Sequence, residues 1–425
     1  MISFVFATVF LFGLVGLAQM QTKPVQTNYD YKTGEQMVTI EEQIAAEEIG
    51  KAIDGSGKYE PRVMPGTVFY PLKNLYREAQ VLFANDTDKK MNLRLKNANE
   101  KILELNILAD AGQMDKVAKN LASYSKELMK MGKLIGKTAG TDPQKAQALS
   151  EKMLKNQITH YVIGNKFERE APVELLAEIR KSKDKVISSV GAVMSGLGSS
   201  EKVAQSTDDS VKKLLDKGTE YKQIYALGAL KTIEEKLSPE AKKAVNKIND
   251  KYTKDLNTNL DRMDQAKQEK FVEYASKNNG DEVVQMEIID DLSATNNNDR
   301  SAKNIDKVKD NLYKNFNTKL SEIESKAPEA VSTMVNRLED GDIKDLRIIK
   351  EMEQNVNPVL VNNVIAKAKD TSLENLKKKL VKEDEKIFAE HAAENNDLKQ
   401  LAVLNDIEKK ISAADKPKIT RAKEE

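Results

Sequence analysis

The chain has 425 residues, of which 40% are hydrophobic and 32% are charged, and this length predicts two to four domains rather than one. The 68 Lys and Arg residues almost balance the 67 Asp and Glu residues, so the formal net charge of +1 argues against nucleic-acid binding through a basic face. The chain has no cysteine, which excludes disulfides, thiolate metal sites, cysteine nucleophiles and a lipidated cysteine anchor.

The N-terminus is an uncharged apolar run from Met1 to Ala18, followed by polar sequence from Gln19. Gly16 and Ala18 place small residues at positions −3 and −1 of a signal-peptidase site, although the usual Lys or Arg before the apolar run is missing. A run of this length only just crosses the hydrocarbon core of a bilayer. The pattern predicts that residues 1–18 are a cleaved export signal and that the protein is secreted, periplasmic or on the cell surface. An uncleaved membrane anchor is the alternative.

Residues 19–64 are predicted to be a linker that contains one short helix. Thr39 to Glu42 have the spacing of a capping box, and the helix runs through Ile44 and Ile49. The stretch from Asp54 to Gly66 is rich in Gly and Pro, which indicates non-helical chain.

An unusual concentration of aromatic residues follows, in a chain that is only 5% aromatic. Pro71 suits the first position of a helix, where its missing N–H costs nothing. The apolar residues after it recur at three- and four-residue steps, which predicts a helix that buries this stripe in a bundle. They are Leu72, Leu75, Tyr76, Ala79, Leu82 and Phe83. Phe69 and Tyr70 are predicted to cover the end of the bundle, with ligand stacking as the alternative role for the rings.

Two further helices are predicted next. Asp86 or Thr87 caps a helix that Gly112 ends as a C′ glycine. Another helix begins at Met114 and carries Tyr124 and Leu128 on its apolar stripe.

Residues 63–134 resemble an uncharacterised bacterial domain. The resemblance lies in Pro65-Gly66, in Tyr70-Pro71-Leu72-Lys73 and in Glu78, followed by paired helices. Members of that family are written P-G-x-x-x-Y-P-L-K and follow a signal peptide or a single membrane segment. The resemblance implies an extracytoplasmic, all-helical domain without an assigned activity, and it supplies no catalytic residues.

From Asp142 to Val190 the sequence predicts two more helices, which begin at Asp142-Pro143 and at Pro172. The uncharged, Gly- and Ser-rich segment from Ile187 to Ser200 is too short to span a membrane. It is predicted to be a tight turn between helices.

The second half of the chain contains an internal repeat of 55 to 60 residues, measured between Leu227, Met286, Leu346 and Leu401. Each copy begins with an apolar triplet, and each predicted unit is a short helix, a break and a longer helix. The triplets are Leu227/Leu230/Ile233, Met286/Ile289/Leu292, Leu346/Ile349/Met352 and Leu401/Leu404/Ile407.

Abundant Ala, Lys and Glu, together with the scarcity of alternating β-branched runs, predict an all-α fold. A helical bundle domain at residues 65–200 is followed at 201–425 by repeated short-helix/long-helix units, which form an elongated bundle or a solenoid. The units lie near 221–280, 281–340, 341–395 and 396–425.

Candidate chemical motifs are few, and we predict no catalytic, cofactor-binding or metal-binding residues. The segment Gly132 to Thr138 has three residues between its glycines, whereas a phosphate loop needs four. His391 and Glu394 form a single ligand pair, which gives no closed metal coordination sphere. The only other histidine is His160, and with two histidines and no cysteine the sequence gives little support for a catalytic triad or for zinc catalysis.

The acidic turns also fail as metal sites. With Gly341 at the sixth position of a calcium loop, apolar Leu338 would occupy the third. We interpret Asp281 and Asp342 as acidic residues at helix N-termini.

These observations favour an exported, non-enzymatic α-helical protein that acts as a cell-envelope scaffold or protein-interaction module. Its partner is an envelope protein or a surface polymer, and we expect no cofactor. The alternative is a membrane-anchored regulatory or sensing protein with an extracytoplasmic helical domain. An enzyme is a third reading, and it requires a cleft in which charged groups converge.

Overall fold

The structure, a computed structural model, describes residues 34–195, 199–216, 219–277, 280–339, 343–382, 403–405, 407–409 and 416–424. These residues contain helices and no strand, which confirms the predicted all-α fold. No helix in the described part of the chain has the length and hydropathy needed to cross a bilayer. The predicted export signal, residues 1–18, lies outside the described residues.

The first half of the described chain forms seven helices. They are α1 (Gly34–Asp54), α2 (Tyr70–Leu82), α3 (Thr87–Asp110), α4 (Met114–Ala139), α5 (Pro143–Glu170), α6 (Val173–Ser195) and α7 (Ser200–Leu215).

The ends of these helices follow the predicted capping chemistry. The Asp86 side chain accepts a hydrogen bond from the Lys89 N–H at 2.7 Å and caps α3. Gly112 follows α3 with φ of 69°, the left-handed conformation that a C′ glycine supplies. Asp142 accepts from the Lys145 N–H at 2.9 Å and caps α5.

Helices α3 to α6 pack on one another, and α1 packs against α3 and α5. The predicted short helix beginning at Thr39 is in fact 21 residues long and begins at Gly34. Met37 and Val38, which precede the predicted cap, are buried in the core with Ile49. Their burial extends the helix upstream of the capping box, because tertiary packing outweighs a local cap signal.

Residues 187–195 are not part of the tight turn that composition predicted for Ile187 to Ser200, because α6 continues to Ser195. Residues 196–198 lie outside the described residues. Ile187, Val190 and Met194 are buried, so the uncharged stretch belongs to the core. A Cβ atom placed on Gly191 would lie 2.5 Å from the carbonyl oxygen of Lys236. Gly191 therefore permits a close backbone approach rather than a turn.

The second half consists of further helices joined by short breaks. They are α8 (Gln223–Glu234), α9 (Pro239–Arg262), α10 (Gln265–Ser276), α11 (Glu282–Thr295), α12 (Asp299–Lys326), a 3₁₀ turn (Pro328–Ala330), α13 (Val331–Val335), a second 3₁₀ turn (Asn336–Glu339), α14 (Ile343–Asn355), α15 (Pro358–Leu360), a π-helical turn (Val361–Ile365), α16 (Ala366–Lys382) and α17 (Lys416–Glu424).

Two of the predicted pairs of a short and a longer helix are present in the described residues, but the 12-residue helix α10 lies between them and was not predicted. Helix α8 has 12 residues and α9 has 24, whereas α11 has 14 and α12 has 28. Helix α14 is followed by the run from α15 to α16. The apolar triplets of α8, α11 and α14 are all buried, and α11 contacts both α8 and α14. The short helices thus form the interior of this region, although Leu401 of the fourth triplet lies outside the described residues.

Candidate interaction surface

Helix α2 presents its apolar side to solvent, contrary to the prediction that this stripe packs inward. Seven apolar residues on or beside α2 are between 54% and 88% exposed. They are Val68, Phe69, Leu72, Leu75, Tyr76, Leu82 and Phe83, and we call them, with the half-buried Ala79, the α2 apolar face. Phe69 therefore does not cover the end of the bundle, whereas Tyr70 is buried as predicted.

The side of α2 that faces the protein combines polar residues with Val81. Tyr70 and Val81 are each 6% exposed and Arg77 is 3% exposed. The main neighbour of this side is α3. Helix α3 offers two carboxylates, Glu100 and Glu104, in the contact.

The carboxylate of Glu104 is fully buried and accepts hydrogen bonds from four side chains. Its Oε1 accepts from Tyr59 Oη at 3.0 Å, from Lys73 Nζ at 2.5 Å and from Arg77 Nη2 at 2.7 Å. Its Oε2 accepts from Tyr70 Oη at 2.8 Å. Burial alone would raise the pKa of Glu104, but the charges of Arg77 and Lys73 outweigh it and lower the pKa below its ordinary value. Glu104 is therefore ionised at neutral pH.

The remaining charges of α2 are also paired inside the protomer. Arg77 donates to Glu100 Oε2 from Nε at 2.9 Å. Glu78 accepts from Arg94 Nη1 at 2.9 Å and from Lys130. Burial raises the pKa of Glu78, but the hydrogen bonds from Arg94 and Lys130 prevail and lower it to about 2. All three charged residues of α2 are thus ion-paired with α3 or α4.

The ion pairs explain why the helix is turned polar side inward. An ionised Glu104 buried without cationic partners would cost several kcal/mol, so the cations of α2 must face it. Lys73 and Arg77 are four residues apart and lie on one side of the helix, while Leu72, Leu75 and Tyr76 lie on the other. Pairing the buried carboxylate of Glu104 with these cations therefore turns the apolar side of α2 towards solvent.

The P-G-x-x-x-Y-P-L-K segment maps onto this arrangement. Gly66 has φ of 85° and makes the turn before α2, and Pro71 lies in its first turn. Tyr70 and Lys73 bind Glu104, whereas Leu72 points to solvent. The motif residues thus both fasten α2 and contribute to its apolar face.

The sequence predicted helix α2, but it did not predict that Glu104 holds this helix in place. The available signal was the presence of Lys101 and Glu104 within the apolar stripe of α3, next to Ile102 and Leu105. Charged residues at such positions are seldom buried unless they are paired.

His160 lies within α5 and is 3% exposed. Its Nε2 is 2.9 Å from Asn99 Oδ1, an acceptor, and its Nδ1 is 2.7 Å from Tyr124 Oη. The ring therefore donates from Nε2 and accepts at Nδ1. Burial lowers the pKa of His160 to about 3, so the imidazole is neutral and has a structural role.

A cavity of about 60 Å³ lies beside His160 and is lined mainly by apolar side chains such as Phe167 and Val190. It is smaller than the cavity of about 150 Å³ that admits benzene, so it has no room for an organic ligand. A separate open cleft of about 700 Å³ is lined by Lys222, Arg262 and Asp264 among others. Both charge signs line this cleft, so its chemistry selects no ligand class.

The other motif residues have ordinary positions or lie outside the described residues. Gly132 to Thr138 are part of α4, and the Asp281 side chain caps α11 by accepting from the Val283 and Val284 N–H groups. Asp342, His391 and Glu394 are not among the described residues. Within the described ranges, no group of three or more His, Asp and Glu side chains is arranged to hold a metal ion.

Residues 62–187 match a family model described as a domain of unknown function (DUF5667). The match contains all of α2 to α5 and most of α6, and it includes the segment 63–134 that resembled an uncharacterised domain. Comparison with curated proteins and with solved structures found no significant match.

Proposed function

We propose that this chain is an exported, non-enzymatic α-helical protein that acts as a protein-interaction module or scaffold in the cell envelope, with the α2 apolar face as its contact surface. The observation that carries the proposal is the outward orientation of this face, with seven apolar residues at least 54% exposed. Contiguous exposed apolar patches on soluble domains are typical of interaction sites.

The energetics support a protein partner over a polar surface polymer. Burying a Leu or Phe side chain stabilises a complex by about 1.5–3 kcal/mol, and the α2 apolar face offers five such side chains. A polymer of sugars would bury little of this area and would leave its own hydroxyl groups without partners. We therefore expect an apolar protein surface as the complement.

Site-specific photocrosslinking in the producing cell tests the contact surface. A photoreactive amino acid at Leu75, which is 67% exposed, should yield a covalent protein adduct. The matched control carries the same amino acid at Lys119, whose side chain is 74% exposed on α4, and should yield none. If Leu75 gives no protein adduct, or only adducts that Lys119 also gives, the α2 apolar face is not the contact surface.

N-terminal sequencing of the native protein tests export and separates the two candidate functions. The uncharged run from Met1 to Ala18 favours either a cleaved signal or a retained anchor. A mature chain that begins at Gln19 and fractionates outside the cytoplasm supports the exported module. A chain that retains residues 1–18 and sediments with membranes supports the membrane-anchored regulatory or sensing protein instead.

The non-enzymatic part of the proposal is tested with the purified mature chain. Saturable turnover of a small molecule that is abolished by a single side-chain substitution would contradict it. Residues such as His160, which is neutral and hydrogen-bonded on both ring nitrogens, offer no free general base for such chemistry.

A further inference from the structure

We infer that the α2 apolar face binds the same face of a second copy of this chain, with the two α2 helices antiparallel across a two-fold axis. The inference rests on the proposed use of this face for protein contact and adds the identity of the partner. Four properties of the face support it: its spacing, its symmetry, its charge and its area.

The spacing of the face is that of a helix–helix contact. Phe69, Leu72, Tyr76, Ala79 and Phe83 are separated by three, four, three and four residues. This is the seam of a coiled coil, in which each side chain inserts between side chains of a facing helix. Leu75 and Leu82 each precede a seam residue and widen the stripe. A facing helix therefore fits this face better than a flat surface does.

The face is also symmetric under reversal of chain direction. An antiparallel pair of identical helices brings together residues whose numbers have a constant sum, since a two-fold axis maps one end onto the other. With that sum at 151, every member of the α2 apolar face lies opposite another member. The pairs are Val68 with Phe83, Phe69 with Leu82, Leu72 with Ala79, and Leu75 with Tyr76.

The charge of the face permits self-association. A two-fold contact places each charge near its own copy, so a charged patch repels itself. In α2, which the structure describes completely, the charged residues are Lys73, Arg77 and Glu78, and each is ion-paired within the protomer. Because the lysine and arginine of α2 are engaged in this way, the helix also lacks the free basic side chains that draw an amphipathic helix to anionic lipid.

The exposed area is sufficient for a stable dimer. Seven residues that are 54% to 88% exposed expose an area that we put at roughly 800 Å², since a fully exposed aromatic side chain offers about 150–250 Å² and leucine and valine offer areas near the lower limit. A standard interface buries about 800 Å² per partner, so the α2 apolar face approaches this size without other elements.

Molar mass in solution is the first test and uses the full chain. Light scattering coupled to gel filtration should give twice the protomer mass for the wild type. Leu75→Glu, which places two like charges beside the two-fold axis, should halve that mass while circular dichroism stays unchanged. Lys119→Glu on the exposed surface of α4 is the control and should remain dimeric.

Disulfide trapping tests the antiparallel geometry, and the natural chain has no cysteine to interfere. Tyr76→Cys lies beside the axis and should crosslink to its own copy under mild oxidation. Leu82→Cys should not crosslink to itself, because thirteen residues separate position 82 from its partner at 69, roughly 20 Å along the helix. Mixed with Phe69→Cys, it should crosslink efficiently.

The outcomes separate this inference from the proposed function. A monomeric wild type without a Tyr76→Cys crosslink overturns the inference, and so does self-crosslinking of Leu82→Cys, which indicates a parallel pair. If Leu75 then captures a different protein in the photocrosslinking experiment, the proposed function stands without the dimer. Binding to phosphatidylcholine–phosphatidylglycerol vesicles that Leu75→Glu abolishes, with a monomeric wild type, overturns the dimer in favour of a membrane contact.

Discussion

Arg77 Nη2 lies 2.7 Å from Glu104 Oε1, and the two residues are 3% and 0% exposed. This buried ion pair joins α2 to α3. The pair helps determine the orientation of α2. Arg77, Lys73 and Tyr70 all donate to Glu104, so they must lie on the side of α2 that faces α3.

Replacing the buried carboxylate should destabilise the protein strongly. Glu104→Gln leaves the part-buried Lys73 without its counterion and leaves Arg77 with Glu100 as its remaining carboxylate. Breaking a buried pair costs about 3–5 kcal/mol, and the remaining pair with Glu100 places the expected loss at the lower end. We expect a marked fall in the urea midpoint. The control Asp115→Asn removes a surface pair of 3.9 Å with Lys119 and should leave the midpoint unchanged. Equal midpoints for Glu104→Gln and the wild type would show that the pair does not hold α2.

Two tyrosines in α2 should respond differently to loss of the hydroxyl group. Tyr70→Phe removes the hydrogen bond of 2.8 Å to ionised Glu104, and hydrogen bonds to charged groups contribute about 1.5–3 kcal/mol. Tyr76 is 62% exposed in the protomer, so Tyr76→Phe removes no buried hydrogen bond to a charged group and should change the free energy of unfolding far less than Tyr70→Phe does. Chemical denaturation of both variants checks this contrast, and the reverse ranking would mean that α2 is rotated.

The stability of the protein should fall as pH rises from about 4.5 to about 7, partly because of Glu41. Burial raises the pKa of Glu41 from 4.5 to about 7, while hydrogen bonds from Thr219 and the charge of Lys222 oppose the rise. The folded state therefore keeps this proton after the unfolded state has lost it. The stabilisation is complete below pH 4.5 and is lost as pH rises through 7.

Glutamine does not titrate, so Glu41→Gln should remove the part of this decline that Glu41 causes. That part is about 3 kcal/mol, because a pKa raised from 4.5 to about 7 corresponds to about 1.36 kcal/mol for each pH unit between the two values. Unfolding curves measured between pH 4 and 8 check the prediction. Burial also raises the pKa of Glu235 to about 7, so the part of the decline that Glu235 causes should remain in this variant. Glu47→Gln, at a part-buried position of the same helix, is the control. A Glu41→Gln variant whose stability declines like that of the wild type would contradict the assignment.

Two helical glycines should respond in opposite directions to alanine. Gly191→Ala places a Cβ 2.5 Å from the Lys236 carbonyl oxygen, and overpacking of this kind costs about 1–3 kcal/mol. Gly136 has nothing within 4 Å of a new Cβ, so Gly136→Ala should stabilise α4 by about 0.5–1 kcal/mol. Thermal unfolding of both variants distinguishes these effects, and a stabilised Gly191→Ala would mean that α6 lies farther from Lys236.

Much of the fold follows from local signals in the sequence. Asp86, Asp142 and Asp281 lie at helix N-termini, as their positions in the sequence predicted. Each caps its helix, because a side-chain acceptor there satisfies free N–H groups of the first turn, although Asp281 was predicted only to complement the helix dipole. The apolar triplets of α8, α11 and α14 are buried because neighbouring helices enclose most of each of these short helices.

The orientation of α2 was not predictable from its own residues. An amphipathic pattern shows that a helix has an apolar side, but the side that faces the protein depends on the surface it meets. That surface contains Glu104, which lies 27 residues beyond Arg77 in the chain. Composition likewise misled at residues 187–195, where a local rule predicts a turn but Gly191 permits close packing within a helix.

The inward and outward residues of α2 have separate roles, and this separation affects which substitutions the helix can accept. Tyr70, Lys73 and Arg77 hold α2 on the protein, and the exposed residues of the α2 apolar face lie between them in the sequence. The buried and the exposed residues can therefore be substituted independently. Substitution of the outward side chains can therefore remodel the exposed surface of α2 while the contacts to Glu104 beneath it stay intact.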